Sequence, residues 1–294
     1  MAIATRARRK SVSEKPQLPV SPGKKKVGIV GYGYVGKIVE KFFGERYEIR
    51  IHDPLYDGKN TKEEINECDL VVVCVPTPMR EDGSCDTGIV EETIDWIEAP
   101  LILIRSTVPP GTTDRLKKKT GKHLVFSPEY SGESRYWSPY PFDQDERAVP
   151  FYIFGGDVED CQKTIDFYVP ITGPTKQYRT TTAKISETVK YFENEYFAWK
   201  VSWANEMREV CDAIGAPYWE VRDLWSLDPR VDRMHTAVFE DNRGFGGKCL
   251  PKDTAALYRW AKEAGYEKRI LKAIIEKNLE LRKGRGDYPE NFRP

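Results

Sequence analysis

Val27-Gly28-Ile29-Val30-Gly31-Tyr32-Gly33-Tyr34-Val35-Gly36 opens the first folded unit of the chain. A short apolar run meets a G-x-G-x-x-G turn, and from Val35 to Phe43 the apolar spacing becomes helical. Asp53 ends the next apolar run, 17 residues past Gly36. The glycine pattern alone is weak; its place between a strand and a helix, with an acid closing the following strand, reads as a dinucleotide fingerprint. Gly31 permits the tight turn, Gly33 lets the backbone approach a pyrophosphate, and Gly36 packs helix on sheet. The loop of Gly31, Tyr32, Gly33, Tyr34, Val35 and Gly36 then opens a helix whose first amides and dipole attract anions. Asp53 would accept ribose hydroxyls and repel a 2′-phosphate, favouring NAD over NADP. The plain alternative is a structural turn with a surface Asp.

Outward from this unit, strand and helix signals alternate. Strands fit residues 48–52, 69–75, 101–105, 124–126 and 150–154; helices fit 89–97, 112–119 and 157–168. Residues 69–75 are nearly all apolar, as a strand covered on both faces should be. This predicts an α/β, doubly wound Rossmann-type parallel sheet. From Ala183 to Ile214 neither Pro nor Gly interrupts the chain, which predicts one long central helix of ~45 Å. Further helices fit 218–227, 253–264 and 268–283, so an all-helical domain follows the sheet. The expected organisation is a basic tail at 1–26, an NAD-binding domain at 27–178, a helical dimerisation and catalytic domain at 179–284, and a short tail at 285–294.

The 294 residues carry 46 basic and 46 acidic side chains, a balance that predicts no nucleic-acid partner for the folded part. The exception is residues 1–26. There Arg6, Arg8, Arg9, Lys10, Lys15, Lys24, Lys25 and Lys26 face Glu14 alone, among Ser and Pro, which reads as a disordered tail with an open role toward anions. No apolar run approaches the ~18 residues of a membrane span, and no secretory leader is recognisable. Six dispersed cysteines without a C-x-x-C pair, and only three His, argue against a disulfide framework or a zinc site and for a reducing, cytoplasmic setting.

Three segments leave predicted strands where open α/β sheets bind ligands: Val75-Pro76-Thr77, Ser106-Thr107 and Ser127-Pro128-Glu129-Tyr130. On the long helix, Lys190 and Asn194 share a face one turn apart. By spacing alone this pair reads as surface, as do Lys200, Asn205 and Glu206. In Gly244-Phe245-Gly246-Gly247-Lys248-Cys249, three glycines allow close approach to a ligand. Asp253 is the expected N-cap of the next helix. That helix start, Lys248 and Lys252 would each favour a thiolate at Cys249. An inert cysteine in a turn is the equal local alternative.

Together these segments resemble the UDP-glucose/GDP-mannose dehydrogenase family, nearest to its UDP-glucose 6-dehydrogenases. The matching runs are VGIVGYGYVG, VVVCVPTP with EDGSCD, RSTVPPGTT, SPEY, KYFENEYFAWKVSWANE and GFGGKCLPKD, in family order over about residues 27–283. The resemblance implies two NAD-linked oxidations at C6 of a nucleotide sugar, alcohol to carboxylate, through a Cys249 thiohemiacetal and thioester. It implies that Lys190 and Asn194 stabilise the C6 oxygen, and that Asp253, Thr107 and Glu129 order water and relay protons. Val75, Pro76, Thr77, Ser106, Thr107 and Glu133 would line the cofactor, and Glu129, Tyr130, Lys190, Asn194, Phe245, Gly246 and Gly247 the sugar. Arg230 would reach a neighbouring subunit in a homodimer paired through the long helix. Three departures stand out: Tyr-Ser-Gly-Glu-Ser follows Glu129 where the family has Phe-Leu-x-Glu-Gly, Lys248 replaces a Ser, and the usual C-terminal UDP-binding domain is not expected in this chain. Another sugar substrate, such as GDP-mannose, a UDP-N-acetyl-hexosamine or a smaller sugar, or an inactive NAD-binding partner protein, are the alternatives.

Overall fold

The computed structural model describes residues 24–131 and 145–294. The basic tail up to residue 23 and Glu133 lie outside those residues. Within them the chain first builds a seven-stranded sheet. In chain order its elements are β1 (Lys26–Val30), α1 (Tyr34–Phe43), β2 (Glu48–His52), α2 (Lys62–Asn66), β3 (Leu70–Val73), α3 (Gly88–Trp96), β4 (Ile102–Ile104), α4 (Thr112–Thr120) and β5 (Leu124–Phe126). A short 3₁₀ turn (Glu146–Ala148), β6 (Phe151–Gly155), α5 (Val158–Thr172) and β7 (Gln177–Thr181) complete it. The strand order is β2-β1-β3-β4-β5-β6-β7, parallel except where β6 meets β5. The doubly wound expectation holds, with that one antiparallel junction added.

Alternation in the strands separates two apolar layers. Val27, Ile29 and Val72 face Phe42 and Phe43 of α1 and Tyr168 of α5. Val71 and Val73 face Ile65 of α2, Ile94 of α3 and Leu116 of α4. Both faces of the sheet are therefore covered, which is why β3 (LVVV) has no polar residue. The order reverses at β1, between β2 and β3, and opens a crevice at the strands' C-terminal ends.

Four helices follow: α6 (Ala183–Ile214), α7 (Tyr218–Trp225), α8 (Leu250–Glu263) and α9 (Arg269–Leu281). The 32 residues of α6 span ~48 Å and start at Thr182, whose hydroxyl accepts the Ile185 amide. Tyr191 of α6, Leu257 of α8 and Ile275 of α9 share one core, which Phe292 joins. The stretch read as a short tail thus folds back; Phe292 is 2% exposed and stacks on Tyr288.

Four sequence expectations need correcting. α2 was not expected, although Thr61 and Glu64 form a capping box that marks its start. β7 was missed because QYRTT is polar, as an edge strand can be. Asp253 does not cap α8: Cys249 takes that position, Pro251 fixes the first turn, and Asp253 lies buried one turn in. Lys200 and Asn205 are buried rather than surface residues. Lys200 reaches Asp232 (2.6 Å), and Asn205 accepts from Arg243 Nε (2.6 Å), so each ties α6 to the α7–α8 connection. Glu206 is exposed, as read.

Candidate active site

Three strand exits make the crevice edge. Gly31–Gly36 leaves β1, Val75–Thr77 leaves β3, and Ser106–Thr107 leaves β4. Hydroxyls fasten the last two together: Ser106 Oγ donates to the Val75 carbonyl (2.7 Å) and Thr77 Oγ1 to the Thr107 carbonyl (2.9 Å). Pro76 and Tyr34 are exposed on this edge. Asp53 accepts the amides of Tyr32 (2.6 Å) and Leu55 (2.8 Å), so its carboxylate is fixed against the glycine loop.

The loop fits a dinucleotide. A Cβ on Gly36 would stand 2.2 Å from the Gly31 carbonyl oxygen, which forces helix and turn together. A Cβ on Gly33 would meet nothing within 4 Å, leaving open space where a pyrophosphate would approach. The start of α1 lies beside that space and turns the positive end of its dipole toward it.

The second group of residues belongs to α6, α8 and the exit of β5. Asn194 Nδ2 donates to Asp253 Oδ2 (2.6 Å), and Lys252 Nζ pairs with Asp253 Oδ1. A hydrogen bond to a buried carboxylate contributes about 1.5–3 kcal/mol, more than an exposed pair, so the Asn194 contact joins α6 to α8 firmly. Lys252 is buried, which would lower its amine; Asp253 most of all, with Cys85 and Cys249, holds it above its ordinary value. Lys190 Nζ donates to the Glu129 carbonyl (2.5 Å), lies 3.5 Å from Glu193 Oε2 and sits over the Tyr130 ring. The surface expectation for Lys190 is thus corrected: with Asn194 it faces the sheet's exit loop and α8. The spacing was compatible with this, but the side chain turns inward because acceptors are waiting there.

Cys249 is exposed at the N-cap of α8, the positive end of the helix dipole, and its carbonyl accepts the Asp253 amide (2.8 Å). The loop before it is pinned by Asn278, which binds the Phe245 amide (2.7 Å) and carbonyl (2.8 Å). The Phe245 side chain goes to the core with Ala198 and Ile274. Gly247 borders open space, whereas a Cβ on Gly246 would collide with Arg282 Nη2, which is paired with Asp287. Arg230 is not joined to this group in the single chain. Its guanidinium is 87% exposed and lies on Asp228.

Sequence reasoning missed two buried acids and their partners. Glu187, one turn before Lys190 on α6, accepts the amides of Gly111 (2.5 Å) and Thr113 (2.8 Å) and so caps α4; burial pushes its carboxyl up to about 7. Arg105 at the end of β4 pairs with both Glu129 and Glu146. Burial raises Glu146 to about 7, opposed by Arg105 and reinforced by Glu129, while Arg105 and the Ser131 amide hold Glu129 below its ordinary value against burial. Lys, Arg and Glu in sequence look alike whether solvated or buried, and no spacing rule separated them. Among the described residues no group of His, Cys, Asp and Glu could hold a metal, and no helix is long and apolar enough to cross a membrane.

Comparison with known proteins matches this arrangement. The profile described as "UDP-glucose/GDP-mannose dehydrogenase family, NAD binding domain" matches residues 52–138, and that family's "central domain" matches residues 184–280. UDP-glucose 6-dehydrogenase of Rickettsia bellii is 29% identical over 252 residues, covering 82% of this chain and 56% of the relative. UDP-glucose 6-dehydrogenase TuaD of Bacillus subtilis is 28% identical over 305 residues, covering 88% and 64%. The chain thus spans between half and two-thirds of the length of these relatives. The solved structure of a UDP-glucose dehydrogenase from Pyrobaculum islandicum shares the fold, with a TM-score of 0.74, 24% identity, and coverage of 90% of this chain and 70% of that one.

Proposed function

The chain belongs to the UDP-glucose/GDP-mannose dehydrogenase family, and from that premise we propose that it oxidises a nucleotide sugar, UDP-glucose above others, at C6 from alcohol to carboxylate with NAD. The observation that carries the reading is the meeting of α6, α8 and the β5 exit: Asn194 on Asp253 at 2.6 Å, Lys190 on the Glu129 carbonyl at 2.5 Å, and Cys249 at the head of the same α8.

Gly31–Gly36 and Asp53 would hold NAD, which would supply the hydride acceptor for each of the two oxidations. The chain's own residues do the rest. The Cys249 thiolate adds to the C6 aldehyde and gives a thiohemiacetal, which keeps the aldehyde from escaping. Oxidation of that adduct leaves a thioester, and water hydrolyses it to the carboxylate and the free thiol. Lys190 keeps N–H donors beyond its protein contacts, and Asn194 has a second amide hydrogen beyond Asp253; both are suited to the developing C6 oxyanion in a water-poor site. Asp253 and Thr107, with Glu129, order the water and carry its protons.

Phe192, Tyr196 and Trp199 are exposed on α6, and Leu224 on α7, an apolar face that suits a homodimer across the long helix. In such a pair Arg230 reaches the partner's sugar. Light scattering at micromolar concentration is expected to give the dimer mass; a monomer would remove this part. The activity is tested by incubating the chain with NAD and a panel of UDP- and GDP-hexoses. NADH is expected with UDP-glucose, and formation of the carboxylate is lost in Cys249→Ser. No NADH with any panel member, while NAD binds, would overturn the reading.

A further inference from the structure

Arg105 is 4% exposed and directly follows β4, two residues before Thr107. Its Nη2 donates to Glu129 Oε2, and its Nη1 to Glu146 Oε1 (2.8 Å) and the Tyr168 hydroxyl (3.0 Å). The other carboxylate oxygen of Glu129 accepts the Ser131 amide at 2.6 Å. Both oxygens of Glu129 are therefore engaged by protein groups. The same residue's carbonyl accepts Lys190 Nζ at 2.5 Å. Glu129 is thus a bridge: its side chain is clamped by a buried guanidinium, and its main chain holds the lysine of α6.

We propose that Arg105 is a positioning residue for Lys190, acting through Glu129, whose carbonyl holds the lysine. This rests on the reading of Lys190 as the group that stabilises the C6 oxygen. The physical case is one of buried charge. A forked guanidinium can hold two carboxylates at once, which a lysine's single ammonium cannot do in the same geometry. Glu146 completes the clamp from the far side. Its carboxyl, pushed up to about 7, shares the burden by holding a proton more readily than an ordinary Glu. Without Arg105, two buried carboxylates face each other unpaired, and the 127–131 exit must open to water or shift. Either movement carries the Glu129 carbonyl away from Lys190, although no ligand contact has been cut.

The test compares the wild-type chain with Arg105→Met, Arg105→Lys and the double variant Arg105→Met/Glu146→Gln, measuring kcat, both KM values and the melting temperature. Arg105→Met is expected to lower kcat about 100-fold and to lower the melting temperature, with the KM for NAD changed less than about threefold. Adding Glu146→Gln removes one of the two uncompensated carboxylates and is expected to return about tenfold of the lost kcat. Loss of packing by the arginine stem would not be repaired by that change. Arg105→Lys keeps the charge and is expected to lose about tenfold in kcat, so the proposal is testable even if Arg105→Met fails to fold. Arg105→Lys with wild-type kcat would overturn the proposal, as would a folded double variant with no recovery, or a loss confined to the KM for NAD. A wild-type chain that turns over no sugar nucleotide would overturn the proposed function and this role together. An active wild type with any of the other three results would overturn this role alone.

Discussion

At the exits of β1 and β3 the surface offered to a ligand is main chain. Gly33 leaves open space, Gly36 presses against the Gly31 carbonyl, and one side chain, Asp53, is held in place by two amides. Where α6 meets α8 the surface is made of buried and half-buried charged and polar side chains: Asn194 on Asp253, Lys252 beside it, and Lys190 on the Glu129 carbonyl. The first region works by leaving room, so its chemistry is tolerant of neighbours and intolerant of added atoms. The second works by matched charge in a dry layer, so it tolerates added bulk poorly and lost partners worse. The two regions should therefore fail differently under substitution.

Lys190→Met should give the largest effect. It removes the cation nearest the proposed C6 oxygen and leaves the Glu129 carbonyl without its donor. Steady-state kinetics are expected to show kcat lower by about 10³-fold, while NAD affinity by calorimetry stays within a fewfold of wild type. Comparable loss in NAD affinity would merge the two regions and break the contrast.

The glycine loop gives the next largest effects, and two substitutions sharpen it. Gly36→Ala puts a methyl 2.2 Å from a backbone oxygen and should lower both melting temperature and NAD affinity. Gly33→Ala meets nothing within 4 Å, so the melting temperature should hold while NAD binding weakens by about tenfold or more. Equal NAD affinity in Gly33→Ala and wild type would mean that the open space is not where the pyrophosphate lies.

Glu187 gives the smallest effect, and it lies on the joint between the regions. Burial raises its carboxyl from 4.5 to about 7, so the protonated form is the one the fold favours. The stability this contributes is complete below pH 4.5 and is lost as pH rises through 7. Glu187→Gln should accordingly lose less melting temperature than wild type between pH 5 and pH 8. A steeper loss in the variant would show that the two amide contacts, not burial, dominate at this position.

The difference between the regions also explains what could be read from the chain alone. The glycine loop, Asp53 and the alternating strands were legible because spacing carries them: a turn needs glycine at fixed places, and a strand covered on both faces needs an unbroken apolar run. The long helix was legible because no Pro or Gly breaks it. Lys190, Asn194 and Asp253 were legible as a set only through family resemblance, since i,i+4 spacing describes a solvated face equally well. Arg105, Glu146 and Glu187 were not legible at all. Their hydrogen-bond partners lie 24, 41 and 74 or more residues away in sequence, and only the folded sheet brings them together. Asp253 was placed at the wrong turn because an acid ahead of an apolar run resembles a cap, whereas Pro251 starts the helix earlier and turns Asp253 inward.

The central claim is that one chain carries out both oxidations through Cys249. The direct measurement is the ratio of NADH formed to UDP-glucose consumed at completion, with the product's C6 followed by NMR. Two NADH per sugar, a C6 carboxylate and no free aldehyde are expected. One NADH per sugar with an aldehyde released, or an undiminished ratio of two in Cys249→Ser, would contradict it.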